Sequence, residues 1–436
     1  MKKEQLIQKL MKKNKPTKRK EFNHERKTSN LKIIGITGSR GKSSTAYMVH
    51  KYLLQRGYKS ILYSSVEIDS PISYKAKVSM ENPMYDERMV LDALLEAEDY
   101  QADYLILEVN ERAISKGLTE DIPFDIRVLT TIIPGQNNLY ENYVGLKEKF
   151  MLEDDNAILI TSVDCQECIN LSQKLKAKKV VTFTSEYLKN FRSVKENVDY
   201  LFDRIDDDFD SINGLRFKII HRGKEENIET SLLMPFNAMN ITCCVSILDT
   251  LKVYDYLSFK EFIRNFEIPG RDEIIKYQGR TIIVSLNLMP HLEILSTYKK
   301  GNLIVVTGAY GDGYVDWVKE FDDDEYSSKR QKDIIFTYNY IKKYADYLYV
   351  TTTDMGSTDV NQMLDYQMSL FNNMAKSEKV VDRYEAIKKA IINSKVNDII
   401  LISGRGNRRI LCYSKDKAKI FIDREAIRKI IEDRGD

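Results

Sequence analysis

The chain has 436 residues, of which 43% are hydrophobic, enough to fill the cores of two or three domains. Its net charge of +2 is too small to indicate a nucleic-acid-binding surface, and no run of about 18 apolar residues predicts a membrane span. Five cysteines, an odd number, argue against a disulfide framework, and the first residues lack an apolar signal core, so we expect a cytoplasmic protein.

Residues 1–30 are rich in lysine and arginine and predict a cationic arm rather than a domain. In the region 31–268, short apolar runs alternate with helical patterns, which is typical of a parallel sheet with crossover helices. The predicted strands of this region are 33–36, 60–63, 104–109, 128–133, 157–161 and 179–183. Two further runs, 214–220 and 228–232, flank a Gly-Lys turn and predict a hairpin.

A second alternating region follows the dipeptide Pro269-Gly270 and covers residues 269–436. Its predicted strands are 281–286, 302–307, 347–351 and 399–403. Both regions therefore predict an α/β fold, in two consecutive domains.

A glycine-rich segment, residues 35–45, directly follows the first predicted strand. Glycines let a backbone close around an anion, while Lys42 supplies a positive charge and Ser43 a hydroxyl for Mg²⁺. The helical pattern over 45–56 indicates that the loop opens a helix, whose N-terminal dipole faces the phosphates. The segment predicts ATP binding by Thr37, Gly38, Ser39, Arg40, Gly41, Lys42, Ser43 and Ser44.

The loop sequence, Thr37-Gly38-Ser39-Arg40-Gly41-Lys42-Ser43, resembles that of the Mur ligase superfamily of ATP-dependent amide-bond ligases. Further segments resemble this family in the same order along the chain. They are residues 105–109, 130–134, 141–147, 236–240, 269–271, 308–312, 382–387 and 398–406. The resemblance implies a P-loop parallel-sheet ATPase domain at 31–268 and a smaller Rossmann-like α/β domain at 269–436.

The resemblance also implies roles for individual residues. Glu108 stands where the family ends a strand with a magnesium-binding glutamate. Lys147 aligns with a lysine that in many members is carbamylated and ligates a second Mg²⁺. Ser43, Glu108 and Lys147 form the predicted metal site, and Lys42, Glu108 and Lys147 form the predicted catalytic set.

Two more residues are expected at the nucleotide. Asn240 belongs to a signature near the adenine, and Arg271 follows a hinge and is expected to contact the nucleotide. Each residue also has a purely structural interpretation. Lys147 fits a solvated helix lysine, Glu108 a salt-bridged strand end, Asn240 a helix N-cap and Arg271 a surface charge.

Four departures from the family pattern bear on the substrates. A cationic arm stands where most murein members have a UDP-sugar domain. Gly135-Gln136 replaces an Asp-His pair that supplies a metal ligand, and the segment starting at Ser285 lacks a polar nucleotide contact. The segment 354–357 replaces the Asp-Asn-Pro-Arg that binds diaminopimelate, so we expect a different amino acid.

Two hypotheses about function follow. The first is an ATP-dependent ligase that joins a small amino acid to the carboxylate of an anionic peptide or polymer, in cell-wall or capsule synthesis. Poly-gamma-glutamate synthetases share this form of the loop and also lack the UDP-sugar domain. The alternative is a catalytically weakened ATP-binding subunit that serves a partner protein, suggested by Gln136 and Ser285. The joint retention of five residues favours the ligase: Lys42, Ser43, Glu108, Lys147 and Arg271.

Cys165 and Cys168 have the spacing of half a zinc site. The remaining cysteines, Cys243, Cys244 and Cys412, do not supply a matching pair, so we expect structural thiols rather than a metal or redox role. No two of the four histidines have helical ligand spacing, and a zinc enzyme is not expected.

Overall fold

The structure is a computed structural model that describes residues 30–72, 84, 86–133, 142–153, 156–175, 179–185, 198–204, 214–311, 323–371, 376–414 and 417–434. The chain divides into two compact units, the first ending at Phe266 and the second starting at Glu267. The predicted domains 31–268 and 269–436 meet close to this point. Within the described ranges, no helix combines the length and the apolar character needed to cross a bilayer.

The first unit is built on one ten-stranded sheet. Its strands are β1 Lys32–Thr37, β2 Ser60–Tyr63, β3 Ile68–Asp69, β4 Tyr104–Glu108, β5 Ile126–Leu129, β6 Ile158–Ser162, β7 Val180–Ser185, β8 Tyr200–Arg204, β9 Leu215–His221 and β10 Lys224–Thr230. They lie in the order β10-β9-β8-β7-β6-β5-β1-β4-β2-β3. The strands from β8 to β2 are mutually parallel, which confirms the predicted parallel sheet, and both edges are antiparallel.

Parallel strands have to be joined by crossovers, and in this unit helices supply most of them. The helices are α1 Lys42–Gln55, α2 Glu87–Asp99, α3 Glu111–Ser115, α4 Tyr143–Leu152, α5 Gln166–Lys174, α6 Phe236–Thr250 and α7 Tyr256–Arg264. Strand β1 lies between β5 and β4, so the chain runs from β1 to β2 on one side of it and from β4 to β5 on the other side. The carboxyl end of β1 is therefore a topological switch point, where α/β proteins bind their ligands.

The predicted hairpin is confirmed as β9 and β10, which pair antiparallel. Its two turn residues are Arg222 and Gly223, with φ of 48° and 71°. Two consecutive positive φ values are typical of the tight turns whose twist matches that of the flanking strands.

Two boundaries next to the glycine-rich loop differ from the prediction by three or more residues. Strand β5 ends at Leu129 rather than at residue 133, because Thr131 and Ile133 bond to Ser39 of the glycine-rich loop instead of to a neighbouring strand. Helix α1 begins at Lys42 rather than at residue 45. The sequence pattern marked only apolar spacing, whereas the helical backbone already starts with the polar residues of the loop.

The second unit contains a six-stranded sheet and a separate hairpin. Its strands are β11 Glu273–Tyr277, β12 Arg280–Ser285, β13 Leu303–Thr307, β14 Tyr347–Val350, β15 Ser377–Lys379, β16 Ile399–Ser403, β17 Ile410–Ser414 and β18 Lys417–Ile420. The sheet order is β11-β12-β16-β13-β14-β15, parallel except for β11. The helices are α8 Met289–Tyr298, α9 Asp323–Tyr344, α10 Val360–Ser369, α11 Arg383–Asn393 and α12 Asp423–Glu432.

A buried ion pair joins α11 to α12 in this unit. Arg383 donates through Nε and Nη2 to the two carboxylate oxygens of Asp423, at 2.7 and 2.8 Å, and neither side chain is exposed. Nη2 also donates to the Ser403 carbonyl at the end of β16, at 2.9 Å. The guanidinium thus connects two helices and the central sheet.

We expect Arg383→Met to lower the free energy of unfolding of the protein by about 3 kcal/mol or more, because it leaves the Asp423 carboxylate buried without its cation. Arg428→Met is the matched control, since Arg428 is exposed on α12. Denaturant titration followed by circular dichroism measures both variants. Equal stability of the two variants would contradict a structural role for the pair.

Candidate active site

The loop after β1 approaches two other segments so closely that it requires glycine at two positions. Gly38 and Gly41 have φ of 143° and 83°. A Cβ atom on Gly38 would lie 2.0 Å from Thr130 Oγ1, and one on Gly41 would lie 2.3 Å from Asn240 Oδ1. Thr130 Oγ1 also donates to the Arg40 carbonyl at 2.5 Å. The loop is therefore closed against the end of β5 and against α6.

Residues 130–133, which we call the tether segment, hold the loop by hydrogen bonds to Ser39. The Ser39 N–H donates to the Thr131 carbonyl at 2.7 Å. The Ile133 N–H donates to Ser39 Oγ, also at 2.7 Å. Because both the backbone and the side chain of Ser39 are bonded, a shift of the tether segment would move the loop with it.

Lys42 and Ser43 are the first residues of α1, and Gly41 precedes them as an N-cap without a side-chain hydrogen bond to the helix. Such a helix end presents the N–H groups of its first turn to an anion. Lys42 Nζ donates to the Gly38 carbonyl at 2.6 Å, so its ammonium group lies over the loop. A helix N-terminus and a lysine ammonium group that lie together form a suitable binding site for a phosphate chain. Ser44, also predicted to bind ATP, is buried in this first turn.

Glu108 ends β4 beside β1, with 5% of its surface exposed. Its Oε1 accepts a hydrogen bond from Ser43 Oγ at 2.9 Å. Its Oε2 accepts from Ser64 Oγ and from the Ser65 N–H, each at 2.7 Å. The described contacts are with hydroxyl and N–H groups, and they do not support the interpretation of Glu108 as a salt-bridged strand end.

Lys147 lies in α4 and is completely buried, so its interpretation as a solvated lysine is wrong. Its Nζ lies 2.5 Å from Glu111 Oε1 and donates to Thr37 Oγ1 at 3.0 Å. Burial, opposed in part by the Glu111 carboxylate, lowers the pKa of Lys147 to about 8. Burial alone would raise the pKa of Glu111, but the ammonium groups of Lys42 and Lys147 outweigh it and lower that pKa to about 2.

Glu111 is a site residue that the motif analysis missed. It is the first residue of α3, and the preceding Asn110 caps this helix by accepting from the Ala113 N–H at 2.9 Å. The signal was present in the sequence as an Asn-Glu pair that begins a helix just after a strand ending in Glu108. Only the tertiary structure brings Lys147, distant along the chain, to the carboxylate.

The residues around Glu108 fit Mg²⁺. A carboxylate and a hydroxyl 2.9 Å apart are hard oxygen ligands, which this cation prefers, and Mg²⁺ commonly uses one or two carboxylates together with substrate phosphates. Among the residues that the structure describes, no group of three or more His, Cys, Asp or Glu side chains forms a metal cage. Ser43 and Glu108 are therefore the residues that would hold Mg²⁺ here, and Lys147 would become a ligand only as a carbamate.

Asn240 lies within α6, whose N-cap is Pro235, so its interpretation as a helix N-cap is wrong. Its side chain donates to Asn237 Oδ1 at 3.0 Å and faces Gly41 of the loop. The predicted position near the nucleotide is thus compatible with the fold, and a role at the adenine stays a prediction.

Arg271 lies in the second unit. Gly270, with φ of 69°, packs so closely on the loop 404–407 that a Cβ atom would lie 2.1 Å from the Asn407 nitrogen. Arg271 Nη1 donates to the Gly270 carbonyl at 3.4 Å. Its predicted contact with the nucleotide stays a prediction.

Two of the departures from the family pattern are also in the second unit. Ser285 Oγ donates to Asp272 Oδ1 at 2.9 Å, and His291 Nε2 lies 2.5 Å from the same oxygen. Asp354 is fully buried, and its carboxylate pairs with Arg405 at 2.5 Å and with Arg408 at 3.3 Å. At both positions the polar side chains therefore bond to other side chains of the second unit. The third altered position, Gly135-Gln136, lies outside the described residues.

Comparisons with known proteins find matches to the Mur ligases, the family that the sequence motifs resemble. Residues 36–248 match the model of the Mur ligase middle domain. The UDP-N-acetylmuramoyl-L-alanyl-D-glutamate--2,6-diaminopimelate ligase of Caldanaerobacter subterraneus subsp. tengcongensis is 24% identical over 93% of this chain and 79% of its own length. The predicted resemblance to the Mur ligase superfamily is confirmed, with a Mur ligase middle domain at residues 36–248.

Solved structures show the same fold. Folylpolyglutamate synthase from Thermotoga maritima has a TM-score of 0.61 at 16% identity and covers 92% of this chain and 90% of its own. A MurF ligase from Thermotoga maritima in complex with ADP has a TM-score of 0.60 at 15% identity, covering 99% and 84%. The predicted α/β fold class is confirmed.

We expect Glu111→Gln to lower the free energy of unfolding at pH 7 by about 3 kcal/mol, because it leaves Lys147 buried without its anion. Since the pKa of Glu111 is about 2 in the folded protein and 4.5 ordinarily, the contribution of its charge is complete above pH 4.5. It is lost as the pH falls toward 2. The stability difference between wild type and variant should therefore shrink below pH 4.5.

Glu120→Gln is the control for this measurement, since Glu120 pairs with Lys149 at the surface, where both side chains are about half exposed. Denaturant titration at several pH values measures wild type and both variants. A Glu111→Gln variant as stable as Glu120→Gln at pH 7 would contradict the importance of the buried pair.

Proposed function

We propose that this chain, which carries a Mur ligase middle domain, is an ATP-dependent carbon–nitrogen ligase that forms an amide bond through an acyl phosphate. The observation that carries the proposal is the assembly of Lys42, Ser43 and Glu108 at the switch point of the sheet. The relatives described above are named as ligases, which agrees with the prediction of this enzyme class. We also propose a cytoplasmic location, because the proposed reaction consumes ATP, which the cytoplasm supplies.

The proposed reaction needs ATP because a carboxylate has no leaving group. Transfer of the γ-phosphoryl group to the acceptor carboxylate gives an acyl phosphate, and the amine of the amino acid then displaces phosphate. Negative charge develops on phosphoryl oxygens in the first step. The Lys42 ammonium and the N–H groups at the start of α1 are placed to stabilise that charge without rearrangement.

Mg²⁺, bound through Ser43 and Glu108, would add a Lewis acid at the phosphates. The hydrogen bonds from Ser64 and Ser65 orient the Glu108 carboxylate, since they engage the oxygen opposite the one that faces Ser43. Orientation of a ligand by such partners typically raises metal affinity. Glu108 is therefore proposed as the metal-binding carboxylate of the site.

Lys147 is proposed to carry a carbamate. Its amine is completely buried, and burial favours the neutral form that reacts with carbon dioxide. The Glu111 carboxylate opposes the modification, because it stabilises the ammonium form. The state of Lys147 thus depends on a balance between burial and one ion pair.

The proposed amino-acid substrate is not diaminopimelate, although relatives of this chain are named for that compound. Asp354, the first residue of the segment that departs from the diaminopimelate motif, is buried and pairs with two arginines of its own unit. A carboxylate in such a pair is costly to separate from its cations. The proposed acceptor is the carboxylate of an anionic peptide or polymer, in cell-wall or capsule synthesis.

The alternative, a catalytically weakened subunit that binds ATP for a partner protein, is favoured by the altered Ser285 position, where the hydroxyl bonds to Asp272. A screen of amino acids and acceptor peptides for stimulated phosphate release separates the two hypotheses. Hydroxylamine, which traps an acyl phosphate as a hydroxamate, tests the intermediate directly. ATP binding without phosphate release under any condition of the screen would favour the subunit.

We expect Lys42→Ala to lower phosphate release at least about 100-fold, because it removes the cation that faces the phosphoryl oxygens. The variant should keep its fold, since Lys42 is only partly buried and its ammonium bonds to a loop carbonyl. Lys59→Ala, at an exposed lysine before β2, is the control and should keep full activity. Unchanged phosphate release in Lys42→Ala would contradict the role of the loop.

We expect the wild type incubated with ¹³C-bicarbonate to show a carbamate carbon by NMR, and Lys147→Arg to lose this signal. Arginine keeps a cation beside Glu111 but cannot be carbamylated in this way. In Lys147→Ala, acetate or bicarbonate should restore part of the activity as a substitute ligand. A nucleotide-bound crystal structure with an unmodified Lys147 paired to Glu111 would overturn the proposal.

A further inference from the structure

Ser39 lies in the phosphate-binding loop, between Gly38 and Gly41, the two glycines that close it. Loops of this kind commonly bind phosphates through backbone N–H groups that point inward. The Ser39 N–H does not serve this purpose, because it donates to the Thr131 carbonyl at 2.7 Å. At this position the side chain is therefore the group that can donate a hydrogen bond to a nucleotide.

The Ser39 hydroxyl accepts two hydrogen bonds. One comes from the Ile133 N–H at 2.7 Å, and the other comes from the Tyr143 hydroxyl at 2.8 Å. A serine hydroxyl has one proton and two acceptor lone pairs. Since two donors occupy the lone pairs, the proton has to point away from both of them, toward a third group.

Tyr143 is a fixed donor to this hydroxyl. It is the first residue of α4, and 6% of its surface is exposed. Burial, together with the negative charge of Glu111, raises the pKa of Tyr143, so its hydroxyl stays protonated at neutral pH. Lys147 Nζ lies over the ring, 5.4 Å from its centroid, and this cation–π contact helps to hold the ring in place.

Helix α4 contacts the loop on both sides of Gly38. Tyr143 and Lys147 are four residues apart and therefore share one face of the helix. Lys147 donates to Thr37 Oγ1 at 3.0 Å, whereas Tyr143 donates to Ser39. The helix thus supports the loop at the point where the phosphates are predicted to bind.

We propose that Ser39 donates its hydroxyl proton to a phosphate oxygen of the nucleotide, and that Tyr143 is the positioning residue that directs this proton. The inference rests on the ATP binding proposed above and adds to it a residue outside the loop. A phosphate oxygen is the acceptor that the surroundings favour, because the Lys42 ammonium lies over the same loop and attracts an anion. The two hydrogen bonds to the Ser39 oxygen also polarise the hydroxyl and make it a stronger donor.

Tyr143→Phe removes the tyrosine hydroxyl but keeps the ring beside Lys147. Without this donor the Ser39 oxygen has a lone pair to spare, and its proton can turn away from the phosphate. We expect ATP binding to weaken about fivefold in Tyr143→Phe and about tenfold or more in Ser39→Ala, which removes the donor itself.

Equilibrium titration of the full-length protein with ATP, without amino acid or acceptor, measures these affinities. In the Ser39→Ala background, Tyr143→Phe should have no further effect, because Tyr143 acts through the Ser39 hydroxyl. Wild-type affinity in Tyr143→Phe, or the same loss in both backgrounds, would overturn the proposal.

Phosphorus-31 NMR of the bound ATP separates this role from a general loss of loop structure. We expect Ser39→Ala and Tyr143→Phe to shift the resonance of the same phosphate group in the same direction. Shifts spread evenly over all three phosphates, or absent from either variant, would also overturn the proposal.

Tyr254→Phe is the matched control. The Tyr254 hydroxyl donates to Glu226 at 2.6 Å, on the edge strand β10 of the same sheet. This variant loses a comparable hydrogen bond away from the loop and should bind ATP like the wild type, so an equal weakening in it would contradict the role of Tyr143. A wild type that fails to bind ATP would contradict the proposed function as well, whereas tight wild-type binding that Tyr143→Phe leaves unchanged would contradict this inference alone.

Discussion

The candidate active site depends on the close packing of the loop after β1. At Gly38 and Gly41 the backbone meets Thr130 and Asn240 at distances that leave no room for a Cβ atom. This contact joins the ends of β1 and β5 to α6, three elements far apart along the chain. Without it, neither the start of α1 nor the Lys42 ammonium would face a common point at the edge of the sheet.

The second constraint on the site is electrostatic. Lys147 and Glu111 are removed from water directly beneath the loop, and each depends on the other to remain charged. Lys42 adds a second cation nearby and lowers the pKa of both groups. Lys42 and Lys147 lie beside Glu108 and Glu111, so two positive and two negative charges share this cluster. The binding of phosphates or the modification of Lys147 would change the electrostatic potential at every member of the cluster.

The second unit uses buried charges differently. Asp354 pairs with Arg405 and Arg408, and Asp423 pairs with Arg383. All of these side chains bond to partners in their own unit. Asp354 follows the carboxyl end of β14, and Arg405 and Arg408 follow the carboxyl end of β16. Buried ion pairs of this kind are costly to break, so they are better suited to shaping a surface than to binding a passing substrate.

The sequence alone determined the α/β class, most of the parallel strands and the phosphate-binding loop. Strict local patterns carry these features: apolar runs for buried strands, and glycines with Lys42 and Ser43 for the loop. The sequence patterns missed β3, β8, β11, β15 and the β17–β18 hairpin, because these strands are short or alternate apolar residues with charges, and their strand form depends on neighbours.

Only the tertiary structure decided which distant side chains meet. The Asn110-Glu111 pair marks a helix start but does not indicate which cation Glu111 meets, and Lys147 has the same helical context as a solvated lysine. Their pairing arises because α3 and α4 follow strands on opposite sides of β1 and converge beneath its carboxyl end. Patterns along a chain specify elements, whereas burial and charge pairing appear only once those elements pack.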